Sequence, residues 1–534
     1  MPVRLADWRL VDAMHLLAPA LRCWAGWLMA LVCLLVSMNW WQDGGFGFDH
    51  RSSNAWREAD YVSIARAFVH EDINPLYPRV LWRGEGTGEV EMEAPMGPWL
   101  AALAGRAIGY DDSLIRRIST IFAAGAVALF GWLAHRRLSP LPALFALTFF
   151  AASPIVQVMA TAMQPEAIAL FFTVGTVLAA LSWYETGSSR WWWIGVASLS
   201  FALLAKASSA YLLIFCGLLV WKREGVPGLS SPRAMLAISV SLVLPLLWYL
   251  HANGLYARTG LSLGLSNETH LINAGVLAEP WPVIRGNLAI EARYVLGSVA
   301  GAVLCLIGAC RRAQSPVLLL VASVAVYYLV ISDTSGDLWA WYYHVASVLP
   351  VALLVGAGVE SLQERLRGAR RARIVSAVLV TALMMISSWA VLGEAQHTRA
   401  LLSQRDAVSP VPRLCIRELA EQLPADALVL TRGGAALDRH GHPVAYNESP
   451  PFVWAERFGA NFPSDLAGKD PFIEYADRQA PWYWLARADD AELVDDYEGL
   501  SQLAAGYPVI ARCSLDPRYA LVSLSAVAQD RMAR

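Results

Sequence analysis

The sequence predicts a mainly α-helical membrane protein: a bundle of about eleven spans, amphipathic surface helices in its first outer loop, and a small C-terminal extracytoplasmic α/β domain. Three observations predict it. Apolar runs of about 20 residues recur as far as Leu392, and about 20 such residues cross a hydrocarbon core of ~30 Å. The chain is 56% hydrophobic and only 16% charged, against roughly 25% charged in soluble proteins, so it has too few charges to cover a water-facing surface of its size. Finally, the connections alternate between basic and non-basic.

The spans fall near 21–41, 118–134, 141–159, 166–184, 191–206, 208–221, 234–250, 292–310, 316–332, 345–360 and 374–392, the fifth and sixth readable together as one bent hairpin. The first is long enough to span and no small-residue cleavage site follows it, so it does not read as a cleaved signal. Arg4, Arg9 and Arg22 precede it. Every second connection after it is basic: Arg136 and Arg137; Arg190; Lys222, Arg223 and Arg233; Arg311 and Arg312; then Arg365, Arg367, Arg370, Arg371 and Arg373. Connections 160–165 and 333–343 contain no Lys or Arg. Basic short loops stay in the cytoplasm, which puts the N-terminus inside and the C-terminal segment outside. The 22 Trp residues suit interfacial belts. A net charge of −2 gives no reason to expect nucleic acid.

Loop 42–117 is long and polar. It carries W-R-E-A-D-Y (Trp56 to Tyr61) and E-M-E-A-P (Glu91 to Pro95). On a helix Arg57, Asp60, Tyr61 and Ile64 share one face while Glu58 points elsewhere. Ile64, Ala67 and Phe68 keep helical spacing, which predicts an amphipathic helix along the membrane surface. Glu93-Ala94-Pro95 opens a second such segment, Met96 to Ile108, with Pro95 suited to a first turn. Two surface helices led by carboxylates bring Asp60 and Glu93 together over the bundle, and paired carboxylates are the usual equipment of general base catalysis.

Charges inside spans are costly and usually face a cavity. Lys206 ends one span, Gln164 and Glu166 open another, and Arg293 starts a third; all lie toward the outer side. The block Trp339 to Pro350 enters a span from that side and offers Tyr343 and His344 to the cavity mouth.

From about Gly393 the composition becomes that of a soluble α/β domain, dividing the chain into 1–392 and 393–534. Helical spacing covers Val411 to Leu423 and Ala491 to Ala505; Ala427 to Thr431, Pro508 to Arg512 and Tyr519 to Ser523 read as strands. This part has two cysteines, Cys415 and Cys513. An oxidising compartment permits their pairing, and two unrelated buried thiols are the other reading. His440 and His442 have ligand-like spacing but read as exposed turn residues.

These residues together resemble the GT-C superfamily of glycosyltransferases, in its protein-mannosyltransferase and aminoarabinose-transferase-like branch. The resemblance spans roughly residues 20–360. It rests on W-R-E-A-D-Y-x-x-I-A-R, on E-A-P, on L-L-A-K at Leu203 to Lys206, and on Y-Y-H-x-x-x-x-L-P at Tyr342 to Pro350. It implies an inverting sugar transfer from a polyprenyl-phosphate carrier at the outer face of a bacterial inner membrane. The acceptor would be lipid A, a surface glycan or a protein. Asp60 would be the base, and Glu93 a second acid that positions the acceptor or an ion. Arg57, Lys206, Tyr343 and Arg79 would serve the phosphate.

Two departures from the family pattern matter. Relatives begin this loop D-E-x-R-Y, so Asp and Arg have exchanged ends of one turn, and Glu58 becomes a rival base. Relatives also often have E-K-P, and the lysine is absent here. No cofactor is required; a divalent ion such as Zn²⁺ on Glu93, His270 and His344 is a further expectation. A transporter or flippase of a lipid-linked substrate is the competing class, although no internal repeat of the kind transporters show is present.

Overall fold

The computed structural model describes residues 55–83, 86–265, 279–311, 315–365, 411–432, 449–462, 483–486 and 509–524. The first and last expected spans (21–41 and 374–392), His270, the expected boundary near Gly393 and the helix expected at Ala491 to Ala505 lie outside them. So do His440 and His442.

The loop region contributes α1 (Ala55–His70) and α2 (Met96–Ile108). Glu58 in the first turn of α1 opposes the helix dipole. After His70, Asp72 and Asn74 each accept the backbone N–H two residues on, and the chain leaves the helix. The helix is buried almost all round: Glu58 through Ala65 are all inside. The expected surface helix with one wet face is therefore corrected, because the C-terminal part of the chain covers that face. In α2 the buried residues Pro98, Ala101, Ala102 and Gly105 make one stripe, and Leu103 and Ile108 are exposed.

The bundle follows: α3 (Ser113–Arg137), α4 (Pro140–Ala152), α5 (Pro154–Met159), α6 (Glu166–Thr186), α7 (Ser189–Ala205), α8 (Tyr211–Leu229) and α9 (Pro232–Thr259). After α10 (Trp281–Ile290) the chain continues as a π-helix, Glu291–Leu296, then α11 (Val299–Arg311), α12 (Val317–Val330) and α13 (Val345–Arg365). Among the described residues four helices are long and apolar enough to cross a membrane, Ser113–Arg137, Glu166–Thr186, Pro232–Thr259 and Ala340–Arg365. A bent pair, Trp281–Leu296 with Val299–Arg311, adds a fifth if it is one span.

Two expected spans are broken. The run 141–159 divides at Ser153 and Pro154, where proline has no N–H to continue the ladder. The run 292–310 bends by 99° at Gly297, whose φ of 61° is left-handed. The fifth and sixth spans are separate helices, joined at Lys206 and a 3-10 turn, Ala207–Ala210.

The core of the bundle joins Phe130 and Phe150, stacked 4.2 Å apart, to residues of α6, α8 and α13. Helices α11 and α13 touch backbone to backbone: a Cβ on Gly308 would lie 1.9 Å from the Leu354 carbonyl, and one on Gly358 would lie 2.1 Å from that of Leu304. Small residues permit this approach.

The C-terminal part holds α14 (Val411–Ala420), α15 (Pro450–Ala455) and five short strands: β1 (Val429–Arg432), β2 (Gly459–Phe462), β3 (Tyr483–Ala486), β4 (Val509–Arg512) and β5 (Ala520–Ser523). Their order is β2-β1-β3-β5-β4. Strand β1 runs parallel to β2 and β3, and β5 runs antiparallel to β3 and β4. Cys415 of α14 is disulfide-bonded to Cys513, at a sequence separation of 98; on a chain-entropy basis such a loop closure is worth about 4–5 kcal/mol.

This part shares one core with the first loop. Ile64, Phe68 and Trp82 lie in a cluster with Cys415, Phe452 and Leu485. Arg66 Nη1 donates to the Val453 carbonyl at 3.0 Å, the Gly459 N–H donates to the Leu81 carbonyl at 3.1 Å, and Arg83 lies over the Phe458 ring.

Candidate active site

Helices α6 and α7 form an antiparallel hairpin turned at Gly187, whose φ of 68° is the left-handed cap of α6. Glu166 is 21 residues before that glycine and Lys206 is 19 after it. Near-equal arms return the two residues to one level, about 30 Å from the turn, which is the depth of a hydrocarbon core. The Lys206 ammonium meets Glu166 Oε1 there.

The first loop brings the other half. Arg57, in the first turn of α1, donates from Nη1 to Glu166 Oε1 at 3.0 Å, and its Nη2 lies 3.6 Å from Glu93 Oε1. Glu93 also accepts from the Tyr61 hydroxyl at 3.4 Å. The segment leading to it is pinned on both sides. Glu91 exchanges backbone bonds with Leu261 and Leu263 and accepts the Ser262 hydroxyl at 2.7 Å. The Met92 carbonyl accepts Trp248 Nε1 at 2.9 Å.

Aromatic rings close the cluster. Arg57 lies 5.0 Å over Tyr342, and Lys206 lies 4.7 and 5.1 Å over Tyr342 and Tyr343. A small cavity lined by Glu166, Lys206, Tyr211, Tyr327, Tyr342 and Tyr343 continues from it.

Burial sharpens the electrostatics. Burial alone would lower the pKa of Arg57, but Glu166, then Tyr342, Tyr61 and Glu93, hold it above its ordinary value, so the guanidinium stays charged. Burial, and then the Glu93 carboxylate, push the Tyr61 phenol well up, so it stays a donor. Glu166 is 0% exposed, while the Glu93 side chain is 16% exposed. The Oε2 atom of Glu166 and both side-chain polar atoms of Gln164 are buried with no hydrogen-bond partner among the described residues. Buried polar groups are normally satisfied, so unmet ones around a charge cluster mark a place made for a ligand.

Among the sequence candidates, Arg57, Glu93, Lys206 and Tyr343 come together. Asp60 has other partners. It is 1% exposed, and its Oδ1 accepts Trp82 Nε1 at 3.1 Å and the Ser449 hydroxyl. Arg57 and Tyr61 reach Glu93 while Asp60, on the edge of the same stripe, turns to the C-terminal part. Glu58 accepts the Met163 N–H at 3.0 Å and Arg116 Nη2 at 3.4 Å, which ties α1 to the segment before α6. Arg79 pairs with Glu71 and Glu89 at 3.3 and 4.0 Å.

Of the expected metal set, His270 lies outside the described residues. His344 has both ring nitrogens engaged, Nδ1 with Glu291 Oε1 at 2.7 Å and Nε2 with the Ser335 carbonyl at 2.9 Å. Among the described residues no group of three His, Cys, Asp or Glu side chains is arranged to hold an ion. Sequence reasoning missed Tyr342 and Glu291. Tyr342 had a signal, the Tyr-Tyr pair two residues before His344, but spacing gave no reason to prefer one ring.

Residues 92–249 match the model of the family described as dolichyl-phosphate-mannose-protein mannosyltransferase. No curated protein sequence matches the chain. The fold is similar to that of ArnT from Cupriavidus metallidurans in the apo state: 14% identity, TM-score 0.58, covering 88% of this chain and 94% of that one. It is also similar to ArnT of the same organism bound to undecaprenyl phosphate, with 15% identity, TM-score 0.56 and coverage of 93% and 97%. The apo oligosaccharyltransferase of Archaeoglobus fulgidus is 12% identical with TM-score 0.52, covering 87% of this chain and 70% of that one. The chain thus has the fold of ArnT and of the archaeal oligosaccharyltransferase and, over residues 92–249, the sequence pattern of the family described as dolichyl-phosphate-mannose-protein mannosyltransferase.

Proposed function

We propose that the protein transfers a sugar from a polyprenyl-phosphate carrier to an acceptor hydroxyl on lipid A, a surface glycan or a protein, with inversion at the anomeric carbon. The observation that carries this is the buried, incompletely satisfied cluster of Arg57, Glu93, Glu166 and Lys206. The ArnT structure with undecaprenyl phosphate supports the carrier class. Arg57 and Lys206 take the donor phosphate, a role for which paired cations and rigid N–H donors are suited. The four side chains balance in charge, so an arriving phosphate competes with the carboxylates for the two cations and releases Glu93 from Arg57.

Glu93, rather than Asp60, is then the base. It is the partly exposed carboxylate of the cluster, whereas Asp60 is enclosed with two donors on one oxygen. The acceptor O–H gives its proton to Glu93 while the acceptor oxygen bonds to the anomeric carbon. The bond from that carbon to the phosphate oxygen breaks, and the polyprenyl phosphate leaves on the opposite face of the sugar. No cofactor is called upon.

The same proposal assigns residues 1–392 to the membrane catalytic domain and 393–534 to a periplasmic domain in a bacterial inner membrane, with the N-terminus cytoplasmic. The Cys415–Cys513 disulfide supports an oxidising compartment for the C-terminal part. The basic residues on alternate connections support the orientation.

The test is transfer from a panel of radiolabelled polyprenyl-phosphate sugars by the purified full chain. Glu93→Gln is expected to reduce transfer about 10²–10⁴-fold, the usual worth of base catalysis. Loss on Asp60→Asn with Glu93→Gln still active would return the base to Asp60. No turnover of any donor by folded wild type would remove the transferase.

A further inference from the structure

Toward the opposite end of the α6–α7 hairpin lies a second cavity, of about 230 Å³, lined by α6, α7, α8 and α9. Trp183, 17 residues after Glu166 along α6, lines its far end, about 25 Å of helix from the charge cluster. Its wall is apolar, with Leu199, Leu213 and Leu242 among the lining residues.

Three tryptophans line this cavity, Trp183, Trp191 and Trp192, and each has an arginine over its ring. Arg223 lies 5.5 Å over Trp183, Arg136 lies 5.5 Å over Trp191, and Arg233 lies 4.4 Å over Trp192. Three donors at this end are buried with no acceptor among the described residues: the indole N–H groups of Trp183 and Trp192, and Nη2 of Arg233. Arg223 donates to the Tyr184 carbonyl, and Arg136 is shared with Glu185 at 3.8 Å. An apolar chamber whose one end carries arginines, indoles and unmet donors has the chemistry of an acyl-chain pocket beneath an anionic headgroup.

We propose that this cavity binds an anionic phospholipid, its acyl chains in the apolar chamber and its phosphate held by Arg233 and Arg223 beside the indole N–H groups. The charge complementarity is with a negative lipid, since a zwitterionic headgroup brings its own cation to the arginines. The site is separate from the charge cluster and does not depend on the reaction assigned to it.

The test is native mass spectrometry of the full-length protein in detergent, equilibrated in turn with phosphatidylglycerol, phosphatidylcholine and undecaprenyl phosphate. Wild type is expected to retain phosphatidylglycerol roughly tenfold better than phosphatidylcholine, as an arginine pair at a lipid surface allows. The double variant Arg223→Gln, Arg233→Gln is expected to lose that preference. Gly217→Leu, which keeps both arginines and places its Cβ where nothing lies within 4 Å, fills the chamber and is expected to lower retention of both diacyl lipids. Melting in lipid-free detergent checks that each variant folds; one that does not is set aside and the other decides. Equal retention of the two diacyl lipids by wild type would overturn the proposal. So would preferential retention of undecaprenyl phosphate, which makes this a carrier site, or wild-type binding by Gly217→Leu.

Discussion

Two carboxylates anchor polar networks in this protein, Glu166 buried and Glu291 17% exposed, and their surroundings differ. Glu291, in the π-helix, is fully engaged. Its Oε1 takes His344, the Tyr328 hydroxyl at 2.8 Å and the Ser347 hydroxyl at 2.7 Å, and its Oε2 takes Ser347 at 2.9 Å. Glu166 has two cations crowded onto Oε1, while Oε2 and the neighbouring Gln164 side chain have no hydrogen-bond partner among the described residues. A satisfied network braces a bend, and an unsatisfied one waits for a ligand. The difference is visible in what each group lacks.

The sharpest way to break the comparison is Lys206→Met. Removing one partner of a buried ion cluster costs about 3–5 kcal/mol, and donor binding should fall with it. Unaltered donor binding, measured by titration with polyprenyl phosphate, would make the Glu166 cluster as structural as the Glu291 network. Glu291→Gln should cost about 1–3 kcal/mol, since it leaves buried donors poorly met. It should lower the melting temperature while leaving KM for the donor unchanged; a raised KM would join the two networks. Asp60→Asn is expected to cost about 1–2 kcal/mol through its bonds to Trp82 and Ser449, with transfer reduced less than about tenfold. Arg311→Gln removes an exposed pair with Glu364 and should change stability by about 0–1 kcal/mol, which sets the floor in the same melting assay.

Much of the charge cluster was legible in the sequence, because Glu166 and Lys206 bracket one hairpin of membrane-crossing length. Arg57, Tyr61 and Glu93 were legible as a loop constellation. The partner of Asp60 was not. Helical spacing says which residues share a face, but Ser449 is 389 residues further on, and nothing local connects them. Glu291 was missed because the apolar run there was read as beginning one residue later. Its role depends on the 99° bend, which the run does not announce except through Gly297. The wet face expected of α1 failed for the same reason as Asp60, since its cover comes from the distant end of the chain.

The seating of α1 against α15 has a consequence in time. A ribosome adding about 5–20 residues per second makes Asp60 some 20–80 s before Ser449, given their separation of 389 positions. Throughout that interval the buried face of α1 has none of its final cover, and Phe68 and Trp82 have yet to meet Phe452. The loop that bears Arg57 and Glu93 is therefore completed only when the last fifth of the chain has arrived, so a prematurely terminated chain that still inserts its helices lacks that cover.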